Sequence, residues 1–344
     1  MNLSLMGWSS FFEDEDFDTD YIARVIAVHR SHMIAITQHK EINLHFSGQV
    51  SQAPAVGDWV VTTPEFVDEQ NVSAALIKKV LQRKSKISRS SSTGEQVIAA
   101  NIDNVFIVTS ANQDFNINRM HRFLLLIHEG GARPVVVLSK TDLDKDHQIL
   151  IDTIKEKLSV DVIGTSILGD SGLKELLAHM PEGSTSVFVG SSGVGKSSLV
   201  NKILGQELQV TRFIREDDSK GRHATTSRQL FFVQGHGMII DTPGVREVQV
   251  FGSAESLGEV FQNIEELIGK CKFSNCQHET EAGCAILEGL TTGELERGEW
   301  ENYLKLLREM AYVNRKQDKA AASNAKKRWR DINIAMRKKR KFER

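Results

Sequence analysis

The spacing of apolar and polar positions takes three forms along the chain. Between residues 21 and 88 the apolar residues come in short runs: YIARVIAVH, MIAITQ, EINLHFSG, GDWVVTT and SAALIKKVLQR. They are rich in β-branched side chains and are broken by Ser, His, Gly or Pro, the pattern of short strands. Five such strands suit a small barrel of the OB-fold type, which binds oligonucleotides on one face. An SH3-like barrel, or a barrel that only packs against its neighbour, would give the same pattern. The Ser-rich stretch RSSSTGEQVIAA (89–100) reads as a linker.

After the linker the period lengthens. NVFIVTSA, PVVVLSK, DVIGTS and TSVFVG read as buried strands, and NRMHRFLLLIHEGG, DKDHQILIDTIKEKL and SGLKELLAHM read as helices between them. Alternating strands and helices predict βαβ units and a mostly parallel sheet. FFVQGHGMIIDTPG adds a hairpin-like pair of strands. From about residue 255 the pattern is helical, apart from a cluster of cysteines. Trp300, Tyr303, Leu304, Leu307, Met310 and Ala311 keep helical spacing and predict a helix that packs back on its surroundings. The expected organisation is multidomain: an acidic, disordered N-terminus (1–20), a barrel (21–88), an α/β domain (89–250), a helical domain around the cysteines (251–313) and a basic tail (314–344).

With 344 residues the chain exceeds one ordinary domain. No apolar run approaches the ~18 residues of a membrane span. Three cysteines exclude a disulfide scaffold and fit a reducing cytosol. The net charge of −2 hides a division: residues 314–344 hold 13 basic and 3 acidic side chains, the remainder 30 and 42. A cationic tail on an acidic body predicts a polyanionic partner, against the alternative of a solvated tail.

Gly190-Ser191-Ser192-Gly193-Val194-Gly195-Lys196-Ser197, followed by Ser198, satisfies the phosphate-loop pattern between a strand and a helix. Its glycines let the backbone wrap a phosphate, Lys196 reaches the β- and γ-phosphates, and Ser197 binds Mg²⁺. Asp241, at the end of a strand in Asp241-Thr242-Pro243-Gly244, fits the Mg²⁺-linked acid, and Gly244 a backbone donor to the γ-phosphate. Ser139-Lys140-Thr141-Asp142 resembles the N-K-x-D element that reads guanine. Its Asp accepts from the guanine N1–H and 2-amino groups, a donor pair that adenine lacks. Ser139 replaces the usual Asn, so one tether is expected to be altered. Thr165-Ser166 resembles the second base-contacting loop.

The base-reading elements precede the phosphate loop, the reverse of an ordinary GTPase, so the α/β domain reads as circularly permuted. In the polar segment 211–228, Thr225 or Thr226 is a candidate for the Mg²⁺ hydroxyl of a switch. Residue 245 is Val, which cannot orient water as a Gln does there, and His223 is the candidate to do so. Cys271, Cys276, His278 and Cys284 form a closed Cys₃His set suited to one tetrahedral structural Zn²⁺.

Barrel, permuted GTPase and Cys₃His finger in this order resemble the small ribosomal subunit biogenesis GTPase family (RsgA). The resemblance rests on GSSGVGKSS, GRHATTS, DTPGVRE and the cysteine spacing, and covers roughly residues 21–310. It implies a cytoplasmic GTPase that binds the small ribosomal subunit and its rRNA late in maturation; a monomer is expected. It further implies GTP hydrolysis stimulated by that subunit, with His223 suspected in hydrolysis, and Zn²⁺ and Mg²⁺ as cofactors. Ala224 and Ser139 depart from the family pattern. The competing reading is an rRNA-binding assembly chaperone with a structural nucleotide and negligible turnover.

Overall fold

The structure, a computed structural model, describes residues 2–13, 18–29, 32–46, 52–68, 71–91, 94–112, 115–206, 228–241 and 252–315. It divides into two units, residues 1–88 with 97–248, and residues 89–96 with 249–344. In the first unit the five expected strands form: β1 (Ile22–Val28), β2 (Met33–Ile36), β3 (Glu41–His45), β4 (Trp59–Thr62) and, after a two-residue β5 (Phe66–Val67), β6 (Ser73–Val80). Their pairing runs β1-β2-β3-β6-β4 and returns to β1, which closes the barrel. Within this ring β3 and β6 are parallel, with His45 opposite Leu76, and the other pairs are antiparallel. Alternate residues, among them Ala23, Val25, Ile42, Leu44 and Ile77, point inward to make its core.

Strand β1 does not alternate between buried and exposed: six of its seven residues are buried. One cause is the N-terminal segment. Two 3₁₀ turns, Leu3–Met6 and Ser10–Phe12, bring Met6 and Phe12 against Ile22, Trp59 and Leu81. Trp8 meets Trp59 edge-on at 4.9 Å. The expectation of a disordered N-terminus is therefore corrected over residues 2–13. Leu3, Met6, Trp8 and Phe12 supply an apolar face that the neighbouring acids obscured. Arg24 is fully buried beneath this segment. Its guanidinium donates to the Met6 carbonyl and, at 2.7 Å, to Thr185 Oγ1. It lies 5.5 Å from the centre of the Trp59 ring. Desolvation lowers its pKa to about 10, against the opposing pull of Asp103 and Asp58.

The Ser-rich stretch is also not a linker. It forms β7 (Lys86–Ser91) and β8 (Gly94–Ala100), a two-stranded sheet of its own. Ile87, Ile98, Ala99 and Ala100 are buried and anchor its base. The α/β region follows in the expected order. It comprises β9 (Asn104–Ser110), α1 (Ile117–Gly130), β10 (Arg133–Ser139), α2 (His147–Leu158), β11 (Asp161–Gly164), α3 (Leu173–Ala178), β12 (Thr185–Gly190), α4 (Lys196–Gln206), β13 (Arg228–Phe232) and β14 (Met238–Asp241). The strand order is β11-β10-β9-β12-β14-β13, parallel except for β13. From β9 the chain winds outward to β11, then crosses to β12 and winds the other way. Such a reversal opens a crevice at the carboxyl ends of the strands. The last strand, β13, also pairs with β1, Gln229 facing Ala27 and Arg228 facing Val28, so one sheet continues into the barrel.

The second unit holds α5 (Ala254–Val260), α6 (Gln262–Gly269), α7 (Ala285–Thr292) and a final helix over 297–315. Ser253 and Ser256 cap α5 reciprocally. Trp300, Tyr303, Leu306 and Met310 are the buried stripe of the final helix. The expected Leu307 is 40% exposed, and Ala311 is exposed too. The stripe passes through Leu306 because i, i+3 and i+7 from Tyr303 share one face.

Candidate nucleotide and metal sites

The phosphate-loop residues lie where β12 meets α4, at the crevice. Gly190 has φ 140, and a Cβ placed on it would stand 2.2 Å from the Val108 carbonyl of the adjacent strand, so only glycine fits. Gly193 and Gly195 also take positive φ, 82 and 99. The helix opens at Lys196 itself, so the first-turn N–H groups of Lys196, Ser197 and Ser198 lie at an anion-binding end. The Lys196 ammonium bonds the loop's own carbonyls, Gly190 at 2.8 Å and also Ser191.

The base-reading loop lies beside it, after β10. Ser139 is buried, and its hydroxyl lies 2.9 Å from the Thr109 carbonyl and within reach of the Val194 carbonyl in the phosphate loop. With one proton it donates to one of them at a time. The shorter side chain thus still reaches across to the phosphate loop. Lys140, at φ 59, sends its ammonium to the Gly193 carbonyl at 2.8 Å. Ser166 Oγ donates to Asp142, and the backbones of Thr141 and Thr165 bond at 3.2 Å. The two base-contacting segments and the phosphate loop are therefore one hydrogen-bonded assembly, although up to 55 positions apart in the chain.

Asp241 ends β14, two strands from β9 in the sheet and next to β12. Desolvation raises its carboxyl above the ordinary carboxylate range, and a cation held there would lower it again. Gly244, Val245, His223, Thr225 and Thr226 lie outside the described residues. One residue that pattern reading missed is Arg119, whose guanidinium donates to Ser191 Oγ at 2.6 Å. No motif signals it, because it sits some 70 positions before the loop.

Cys271, Cys276, His278 and Cys284 converge with their ligand atoms all within 4.8 Å of one another. His278 Nδ1 lies 3.6 Å from Cys271 Sγ and 3.4 Å from Cys284 Sγ. Zinc bond lengths of ~2.3 Å to sulfur and ~2.0 Å to nitrogen imply tetrahedral edges of about 3.5 Å, so the donor set fits that ion. The Glu281 carboxylate accepts from the backbone N–H groups of Gln277, Glu279 and Thr280 at 2.7, 2.9 and 3.0 Å. The His278 ring meets Trp300 edge-on at 5.6 Å, which ties the ligand loop to the final helix.

A parallel sheet with a phosphate loop at its centre and a base-reading loop earlier in the chain defines a circularly permuted P-loop GTPase. Comparison with known proteins agrees. The RsgA GTPase family profile matches residues 80–251. The small ribosomal subunit biogenesis GTPase RsgA 2 of Vibrio parahaemolyticus is 42% identical over 90% of this chain and 86% of its own. RsgA 1 of Listeria innocua is 38% identical over 98% and 97%. Among solved structures, YjeQ from Thermotoga maritima aligns with a TM-score of 0.62 at 27% identity, over 85% of this chain and 98% of that one. YloQ, described as a circularly permuted GTPase, aligns at 0.60 and 26%, over 85% and 95%. This chain belongs to the small ribosomal subunit biogenesis GTPase (RsgA) family.

Proposed function

We propose that this protein hydrolyses GTP in response to the small ribosomal subunit, acts late in that subunit's maturation and leaves it after hydrolysis. The observation that carries this reading is the bonding of the base-reading loop to the phosphate loop through Ser139 and Lys140. Asp142 and Ser166 select guanine, residues 190–198 wrap the phosphates, and Lys196 offsets charge that develops on them. Ser197 and Asp241 are the residues to hold Mg²⁺, which supplies neutralisation of the phosphate oxygens. Thr226 and Gly244 complete the switch segments, with His223 orienting the attacking water in place of a Gln. One structural Zn²⁺ on Cys271, Cys276, His278 and Cys284 closes the ligand loop. Protein would fill all four of its positions, so this metal would shape an rRNA-binding module and supply no hydrolytic chemistry. No helix among the described residues is long and apolar enough to cross a membrane. We further take the protein to be a cytoplasmic monomer.

GTP turnover measured with and without purified small subunits tests the proposal. Stimulation of at least tenfold supports it, whereas equal and negligible turnover in both would leave an assembly chaperone with a structural nucleotide. The basic tail supplies rRNA affinity by counterion release, with Trp329 among Lys326, Lys327, Arg328 and Arg330 as a stacking residue. Deleting residues 326–344 should weaken subunit binding and flatten its salt dependence. Unchanged affinity at both low and high salt would exclude the tail from binding.

A further inference from the structure

The first turn of α1 carries a residue that works against its own helix. Arg119 is the third residue of α1, where a cation meets the positive end of the helix dipole. The Asn116 side chain accepts from the Arg119 backbone N–H at 3.0 Å, which fixes where that residue stands. Its half-buried side chain is directed to the phosphate loop, where Nη1 donates to Ser191 Oγ at 2.6 Å. The carbonyl of the same Ser191 accepts from Lys196. Ser191 is therefore held twice, through its hydroxyl from α1 and through its backbone from the start of α4. A residue that breaks a local rule in return for a specific contact marks a site with a task.

We propose that Arg119 is a positioning residue for phosphate binding, acting through Ser191. By holding that side chain it sets the peptides between Gly190 and Ser192 in the curve that a diphosphate requires. The loop then loses less freedom when nucleotide arrives, and affinity rises. Arg119 does not touch the phosphates in this scheme, so its loss weakens binding more than turnover.

This inference rests on the reading of residues 190–198 as the phosphate site, and the test separates the two. The dissociation constant for a fluorescent GDP is measured for the unaltered protein, Arg119→Ala, Ser191→Ala and the double variant, with the melting temperature of each. Loss of one charge-assisted bond predicts about a tenfold weaker affinity for either single variant. The double variant should be weakened by the same tenfold, because both changes remove one interaction. In GTP turnover, Arg119→Ala should raise KM by a similar factor with kcat changed less than twofold. An effect of ~100-fold in the double variant, or none in Ser191→Ala, would overturn the relay. So would unchanged GDP affinity in all variants beside a lowered melting temperature. Failure of the unaltered protein to bind GDP would remove the phosphate site itself, and this inference with it.

Discussion

At the scale of single residues, the carboxylate proposed to read the base, Asp142, accepts from the Ser166 hydroxyl and keeps lone pairs for further bonds. Asp142→Asn converts an acceptor into a group with a donor, which opposes the donors of guanine and suits xanthine, whose acceptor stands where guanine has its amine. The variant should lose at least tenfold in GDP affinity and gain affinity for xanthosine diphosphate, as read by competition binding. Retained preference for GDP would remove Asp142 from base selection. The residues of this site were legible unequally. The phosphate loop is a contiguous pattern in which each glycine has a local backbone reason. The contact of Ser139 with Val194 is not contiguous: in the sequence the exchange of Asn for Ser reads only as an altered tether, and its partner is visible where the fold sets the two loops side by side.

Among the elements, α1 offers a stability test. His121 is 2% exposed on its buried face. Burial, with a smaller contribution from Lys157, lowers its pKa to about 4 from an ordinary 6.5. The unfolded chain takes up a proton below about pH 6.5 that the folded chain refuses until about pH 4. Stability therefore falls as pH drops through that window, by about 3 kcal/mol at its lower end, and no further below it. Urea unfolding at pH 7, 5.5 and 4.5 should show this loss in the natural protein and a shallower slope in His121→Gln. Parallel slopes would refute the assignment. Elements were readable where burial follows one period, as in the α/β strands. The barrel runs were readable as strands too, β1 among them; what escaped was the layer that Met6 and Phe12 add over β1 and the pairing of β7 with β8 in a stretch that read as a linker. Across that pair Arg89 Nε donates to Gln96 Oε1 at 2.9 Å, a contact between single side chains that the Ser-rich composition does not announce.

For the whole molecule, the division into two units predicts separable behaviour. Elemental analysis should find one zinc per chain, and Cys276→Ser or a strong chelator should reduce helical circular dichroism through loss of the second unit. GDP affinity should change less than twofold, since residues 190–198 lie in the first unit. Loss of GDP binding in step with zinc would contradict that independence. The succession of barrel, α/β region and helical cysteine region was legible because each has its own pattern of residues. The joining of barrel and α/β region was not, because it depends on β1 and β13, some 200 positions apart.

That join has a consequence for anyone who would divide the molecule. Strand β13 has β14 on one side and β1 on the other, while Phe232 leans on the cluster of Met6, Phe12 and Trp59. A nucleotide-binding fragment begun at residue 101 would leave the outer rim of β13 unpaired and Phe232 uncovered. Open, apolar strand rims recruit other chains. Such a fragment should elute as soluble aggregates in size-exclusion chromatography, while a polypeptide that keeps residues 1–88 stays dispersed. The barrel thus covers the outer edge of the same sheet that carries residues 190–198.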